Sequence, residues 1–494
     1  MYCSSQNLLK SFKHLLPTSP KHAFSKSPTF LKAVLAITFL SLFSLPYYFT
    51  SFPLTKWRLY RPDRALVGPP PDKTNISHIL FGIGGSAATW SHRRRYSELW
   101  WEPNATRGFV WLDEAPSPDN GLEPWPESSP EFKVSSDTAH FKYTCPYGHR
   151  SAVRVARIVK ESFELGQANV RWFVMGDDDT IFFPENLANV LGKYDHERMH
   201  YIGSVSESVE QDVVHSYTMG YGGAGFAVSY ALAAELVRIL DGCIDRYSDF
   251  YGSDQKVGGC VSEIGVPLSK ELGFHQMDIR GNPFGLLSAH PVAPLVSLHH
   301  LDYVEPLFPN TSRVDSIKKL IVAYKSDPNR VLQHTFCYDQ TQNWSISVAW
   351  GYNVQLYPFW VRPKELSTPL RTFIPWAKDN SPFTFNTREY KLEPCERPIV
   401  FYFDGVEKFE NVSTVTSYTR AAADEHRKKC DKANYKAAYS VKGFNVSASH
   451  FDPQLWYKAP RRQLCEVISR SYEEVNVVSL RIRGYNRLET VSPA

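Results

Sequence analysis

The sequence predicts an α/β fold through its middle and a β-rich C-terminal module after it. Strand-like and helix-like runs alternate between residues 78 and 191, the pattern of a sheet with parallel neighbours. An acidic triplet closes one of those buried strands, where open α/β sheets bind ligands. After about residue 335 the helical spacing gives way to a period of two.

The first strand is "HILFGIGGSA" (78–87), which runs into Gly84, Gly85 and Ser86, and a helix follows through "WSHRRRYSELWW". The second strand, "GFVWLD" (108–113), opens into a loop too rich in Pro and acid to be anything but surface. In "RSAVRVARIVKESFELG" (150–166), Val155, Ile158, Val159, Ser162 and Phe163 fall on one helical face and Gly166 supplies the stop. Arg150, Arg154 and Arg157 share another face, expected to be solvated. The strand "NVRWFVM" (169–175) follows, then the triplet, then a helix opened by Pro184 and Glu185. In "SISVAWGYNVQLY" (345–357) every second residue from Ile346 to Leu356 is apolar, which predicts one strand with one buried face. "FTFNTR", "PIVFYFD" and "VVSLRIR" have similar texture, and Trp344, Trp350, Tyr352, Trp360 and Trp456 are expected to pack as core.

A chain of 494 residues is long enough for two or three domains. Its formal charge of +4 is too small to argue for a nucleic-acid partner. Residues 1–62 contain no Asp or Glu, and five lysines precede the apolar run "AVLAITFLSLFSLPYYF" (33–49). Bulky residues follow that run where a cleavage site needs small ones, so it reads as an uncleaved anchor. The expected divisions are a cytoplasmic tail (1–32), a membrane anchor (33–54), a Pro-rich stem (55–75), a catalytic domain (76–314) and the β-rich module (335–494). Asn75, Asn104, Asn310, Asn343, Asn411 and Asn445 begin N-x-S/T sequons, all after the anchor, so the bulk of the chain is expected to face a lumen. Seven cysteines follow the anchor, an odd number that leaves one free or bridging two chains, and a homo-oligomer stays open.

The triplet is Asp177, Asp178 and Asp179, set between "WFVMG" and "TIFF". Carboxylates side by side repel and lose water when buried. In extended backbone Asp177 and Asp179 point one way and Asp178 the other. Two converging carboxylates suit a hard divalent cation, which cancels their repulsion and can bridge to phosphate oxygens. A helix-capping turn would need one carboxylate, not three.

Three later stretches accompany it. In "MGYGGAGFAVSYALAAEL" (219–236), Gly220, Gly222, Gly223 and Gly225 let backbone approach a ligand or pack tightly, and Ser229 is placed to cap a helix burying Leu232, Leu236 and Leu240. In "YGSDQKVGGCVSEIGVPL" (251–268), Asp254 stands in a polar segment, and Cys260 lies 17 positions beyond Cys243. A bridge closing a loop of that size would contribute about 3 kcal/mol. The run 274–302 concentrates His275, His290, His299 and His300, of which adjacent His299 and His300 cannot both face inward on a strand.

Together, "WFVMGDDDT", "GYGGAGFAVS" and "SDQKVGG" resemble, in order and spacing, the Fringe and core-1 galactosyltransferase group of glycosyltransferase family 31. "GFHQMDIRGNPFGLLSAHPVAPLVSLHHLD" is similar to the plant Fringe-related family in particular. The resemblance covers residues 76–312. It implies a GT-A fold with a Rossmann-like nucleotide-binding half and an acceptor half, in a single-pass type II Golgi membrane protein. It implies an inverting, metal-dependent enzyme moving a hexose or N-acetylhexosamine from a UDP-sugar to a glycan or glycoprotein hydroxyl, in β-1,3 linkage. Carried over residue by residue, Asp177 and Asp179 would bind Mn²⁺, with His299 (or His300) completing the set and Asp178 beside the donor. Asp254 would be the catalytic base, and Gly222, Gly223 and Gly225 would lie against the sugar donor. Cys243 and Cys260 match a pair flanking the base. The stretch "GIGGSAATWSHRRRYSELWW" departs from the family's nucleotide-binding start, which leaves Arg94 and Arg95 without an assigned role. The rival expectation is a lumenal carbohydrate-binding protein that keeps the fold without turnover.

Overall fold

The computed structural model describes residues 73–122, 124–409, 413–421, 429–470, 476–486 and 489–491. The expected tail, the anchor over 33–54 and nearly all of the stem lie outside the described residues, as does Asn411. Among the described residues no helix is long and apolar enough to cross a membrane.

Four strands open the fold: Ile79–Gly84 (β1), Arg107–Leu112 (β2), Glu131–Val134 (β3) and Trp172–Asp177 (β4). β2 and β4 flank β1 in parallel, and β3 extends β2 in parallel. Ile181–Phe182 (β5) belongs to another sheet. Tyr201–Gly203 (β6), Phe226–Ser229 (β7) and Leu268–Lys270 (β8) complete the first in the order β3-β2-β1-β4-β7-β6-β8. β7 runs antiparallel to both its neighbours, so the sheet is mixed rather than all parallel.

Helices cover both faces. On one face Leu80, Phe173 and Met175 pack with Val153, Leu232, Leu236 and Val257. Those partners come from Ser151–Glu164, Tyr230–Arg246 and Ser253–Ile264. On the other face Phe81, Ile83 and Val174 join Trp90 of Ala87–Trp100 in a cluster that continues to Val348, Phe401 and Leu480. Burial on both faces explains why β1 and β4 are apolar at nearly every position instead of alternating. Ser229 caps Tyr230–Arg246 by accepting from the Leu232 N–H at 3.3 Å, with Leu232, Leu236 and Leu240 buried.

The arginine face of Ser151–Glu164 differs from expectation. Arg154 donates to the carbonyls of Trp111 and Gly85 at 2.9 and 2.7 Å, and Arg157 donates to Asp241 and Glu161 at 2.9 and 3.1 Å. Both are buried and only Arg150 is exposed, because carbonyls left open at strand ends and the acids of the next helix need donors.

Three short strands follow, Phe274–His275 (β9), Ile279–Gly281 (β10) and Ser297–Leu298 (β11), with β11 lying between β5 and β9. The C-terminal half brings His334–Asp339 (β12), Trp344–Ala349 (β13) and Asn353–Tyr357 (β14). The stretch read as one strand over 345–357 is thus a hairpin turned at residues 350–352, and both faces of each strand are buried. Period-two spacing survives such a turn, so it could not mark the break. After Leu370–Arg371 (β15), Phe373–Pro375 (β16) and Arg388–Glu389 (β17) come Ile399–Phe409 (β18), Ser413–Arg420 (β19), Gly443–Ser449 (β20), Leu464–Arg470 (β21) and Val477–Arg483 (β22). They form an eight-stranded sheet in the order β12-β13-β14-β18-β19-β20-β22-β21. Cys337 of β12 and Cys465 of β21 are bridged, with Cα atoms 4.7 Å apart, so the two ends of that order meet.

Residues 74–494 belong to one unit, with the apolar cluster continuous from Ile79 to Ile482. The run after β16 is fastened to the first half: β16 pairs antiparallel with β10, the Val209 N–H donates to the Pro382 carbonyl at 3.2 Å, and the Thr384 N–H donates to the Glu207 carbonyl at 3.0 Å. Cys243 and Cys260 are bridged at 2.05 Å, Cys395 and Cys430 are bridged, and Cys145 is disulfide-bonded too. The three bridges take six of the seven cysteines that follow the expected anchor, so Cys145 is the odd one by parity; it is bonded outside these six, and among the described residues no cysteine is free.

Candidate active site

Asp177 ends β4, and the chain turns at once. The Thr180 N–H donates to the Asp177 carbonyl at 3.1 Å. The Thr180 hydroxyl accepts from the Asp177 N–H at 2.9 Å and donates to the Gly223 carbonyl at 2.7 Å. Asp177 and Asp179 therefore converge through a turn tied to the glycine-rich segment, not through the strand pleat that the sequence suggested. The third member arrives by register. β11 pairs antiparallel with β5, Leu298 opposite Ile181, so the next residue, His299, comes beside Asp179. His299 Nε2 lies 3.1 Å from Asp179 Oδ1 and 3.8 Å from Asp177 Oδ2. One ligand atom from each of Asp177, Asp179 and His299 lies within 4.8 Å of the other two.

The electrostatics are those of an acid cluster held by cations. Burial would push His299 down, but Asp179 and Asp177 raise it to about 9. Burial would push Asp179 up, but the charge and hydrogen bond of His299, with Arg93 behind them, hold it well below the usual carboxylate range. Asp177 keeps 41% of its side chain open, yet its packed surroundings raise it to about 6, Asp179 and Asp254 adding to desolvation against the pull of His299. Asp178 does not join the group. Desolvation, then the neighbouring Asp179, push it up to about 8.

Arg93 is the residue the sequence reading missed. Its guanidinium donates to Asp179 at 2.5 Å and to Asp302 at 3.1 Å, while Arg94 pairs with Glu98 and Arg95 lies over the Tyr96 ring. Trp90, Arg93, Tyr96, Ser97 and Trp100 recur at helical spacing, and all but Arg93 are buried. That stripe singles out the inward arginine of the three.

Asp254 sits in the first turn of Ser253–Ile264, where the helix dipole favours a carboxylate. Its Oδ2 accepts from the Gly222 N–H at 2.9 Å and its Oδ1 from the Gln255 N–H at 2.8 Å. Asp177, Gly222 and Asp254 line one cavity with Met175 and Val257. The glycines permit close approach, but the groups that approach are protein side chains. A Cβ on Gly223 would lie 2.0 Å from the His299 ring, and one on Gly225, which has φ of +82°, would lie 2.6 Å from Phe182.

The four histidines divide. His275 Nδ1 lies 3.2 Å from Glu207, and its ring is 5.0 Å from that of His290, outside the carboxylate group. His300 does not point away from His299, as strand geometry would require. It takes φ of +50° after β11 ends, which leaves the two ring centroids 3.9 Å apart. Two carboxylates and a buried imidazole are a donor set that fits Mn²⁺ or a similar divalent cation.

The family model described as "Protein of unknown function, DUF604" matches residues 211–465. A "Beta-1,3-glucosyltransferase" of Mus musculus is 28% identical over 138 residues, 28% of this chain. The chain spans 27% of the length of that relative. Among solved structures, a mannosyltransferase from Pyrobaculum calidifontis in complex with GDP-Man and Mn²⁺ aligns at 12% identity and a TM-score of 0.26, over 46% of this chain and 66% of that one. A glycosyltransferase involved in the glycosylation of the major capsid of PBCV-1 aligns at 14% identity and a TM-score of 0.26, over 48% and 96%. At such TM-scores neither alignment bears on the fold.

Proposed function

The chain belongs to the family described as "Protein of unknown function, DUF604", and from that premise we propose that it is an inverting, divalent-metal-dependent glycosyltransferase on a GT-A-like α/β fold. The donor is a UDP-sugar carrying a hexose or N-acetylhexosamine, and the acceptor is a hydroxyl of a glycan or glycoprotein, joined in β-1,3 linkage. The observation that carries this reading is the meeting of Asp177, Asp179 and His299, with Asp177 lining one cavity together with Asp254. The match to a glucosyltransferase over 138 residues supports it.

Asp177, Asp179 and His299 would hold Mn²⁺ or a similar cation, which when bound supplies positive charge to a departing diphosphate. Asp254 takes the proton from the acceptor hydroxyl as the oxygen attacks the anomeric carbon and the bond to the diphosphate breaks with inversion. The hydrogen bonds from Gly222 and Gln255 fix the orientation of that carboxylate. Arg93 shares the charge of Asp179 and adds a second cation to the site.

We place the active part in the Golgi lumen, with the chain anchored through residues 33–54. Asn75, Asn104, Asn310, Asn343 and Asn445 are all exposed, as acceptors of N-glycans must be. Three bridges within the chain suit an oxidising compartment. The test is a panel of UDP-sugars with and without Mn²⁺, read by thermal stabilisation and by release of UDP. A stabilising sugar nucleotide that is never hydrolysed or transferred would favour a binding protein. No stabilisation by any member would sink the donor assignment.

A further inference from the structure

A histidine that binds a metal ordinarily has its second ring nitrogen fixed by a carboxylate or carbonyl. His299 has no such partner: its Nδ1 is buried without a hydrogen bond. Its ring is held by packing instead. Gly223 presses on it, and His300 lies against it with centroids 3.9 Å apart and planes at 30°. The left-handed backbone of His300, costly for a residue other than glycine, stacks these consecutive rings.

His300 is itself held twice. Its Nδ1 lies 3.0 Å from Asp278 Oδ1, and its ring stacks on Trp376 with centroids 4.6 Å apart and planes at 13°. Trp376 rests in turn against Arg280, whose guanidinium carbon is 4.3 Å from the ring centroid and whose Nε donates to the Trp376 carbonyl at 2.9 Å. His299, His300, Trp376 and Arg280 form an unbroken series of stacked groups. Trp376 follows β16 directly and is carried to this place by the pairing of β16 with β10.

We propose that Trp376 is a positioning residue for His299, and that the C-terminal half thereby contributes to the active site instead of serving as a separate glycan-binding module. The inference rests on the metal-dependent reading above. Trp376 lies outside the group formed by Asp177, Asp179 and His299. It keeps the His300 ring, and through it the His299 imidazole, facing the two carboxylates.

The experiment is calorimetric titration of the full chain with MnCl₂. Trp376→Ala is expected to weaken manganese binding about 10-fold or more, the usual scale for loss of a group that orients a ligand. Trp376→Phe keeps a stacking ring and is expected to stay within about twofold of the parent. Parental affinity in Trp376→Ala would overturn the inference, as would equal losses in the two variants. A parent that binds no manganese would remove the metal-dependent reading along with it, so the two failures are distinguishable. Should Trp376→Ala not fold, Arg280→Ala tests the stack from its outer end. A severalfold loss is expected there, and parental affinity overturns the inference.

Discussion

The Gly222 main-chain N–H donates to Oδ2 of Asp254 at 2.9 Å, which locks the glycine-rich turn to the helix that carries the carboxylate. The same carboxylate lines a cavity with Asp177. Asp254→Asn is therefore expected to lower transfer by about 10²–10⁴-fold, the usual worth of a general base. UDP-induced thermal stabilisation in Mn²⁺ should stay near parental. Unchanged turnover in the variant removes Asp254 from this role.

Gly223→Ala tests the packing behind His299. The new methyl would lie 2.0 Å from the imidazole, closer than any real contact, so the ring must move. The expected outcome is a lower melting temperature together with loss of manganese affinity. Gly405→Ala, whose methyl meets nothing nearer than 3.6 Å, is the control and should change neither. Parental manganese affinity in Gly223→Ala would mean that the imidazole is not a ligand.

Arg93 competes with a cation for Asp179, since its guanidinium already donates to that carboxylate at 2.5 Å. Arg93→Gln leaves the acids less compensated. The metal-free variant should melt below the parent, and added Mn²⁺ should raise its melting temperature by more than it raises the parent's. Equal manganese shifts in the two proteins would reject the competition.

A separate pH effect is expected outside the group of Asp177, Asp179 and His299. Asp212 is 1% exposed, accepts from the Ser206 N–H at 3.0 Å, and is pushed up to about 7, chiefly by burial. The folded state thus holds this proton where the unfolded chain, with its pKa near 3.8, releases it. That contribution to stability is complete below about pH 4 and is lost as pH rises through about 7. Asp212→Asn cannot titrate. Relative to the variant, the parent should lose stability steadily between these limits, measured as the difference in melting temperature. Parallel curves would refute the shift.

Much of the first sheet could be read from the chain, because buried strands and amphipathic helices leave strong local patterns. Asp177 and Asp179 stood out in one short motif, while Asp254 and His299 were chosen through the family resemblance; Asp177, Asp179 and His299 meet because a strand end and one antiparallel register bring them together. What escaped was whatever depends on partners far along the chain. Arg154 and Arg157 look like a solvated face until the carbonyls of Trp111 and Gly85 and the acid of Asp241 are in place. Arg93 was obscured by two neighbouring arginines, although the stripe from Trp90 to Trp100 marks it. Trp376 offers no local signal at all, since its importance comes from a ring contact with His300 76 positions earlier. The turn at residues 350–352 was invisible because alternation runs straight through it.

The bridge between β12 and β21 has a consequence for synthesis and for truncation. The two strands it joins are the outermost of eight, so the bridge holds against each other the two edges at which another polypeptide could add a strand. Cys465 follows Cys337 by 128 positions, so the bridge cannot close until all the strands between them have been made. A product stopped short of Leu464 would carry Trp376 yet lack β21 and β22, leaving β12 and β20 as edges that no bridge holds together, and is expected to aggregate.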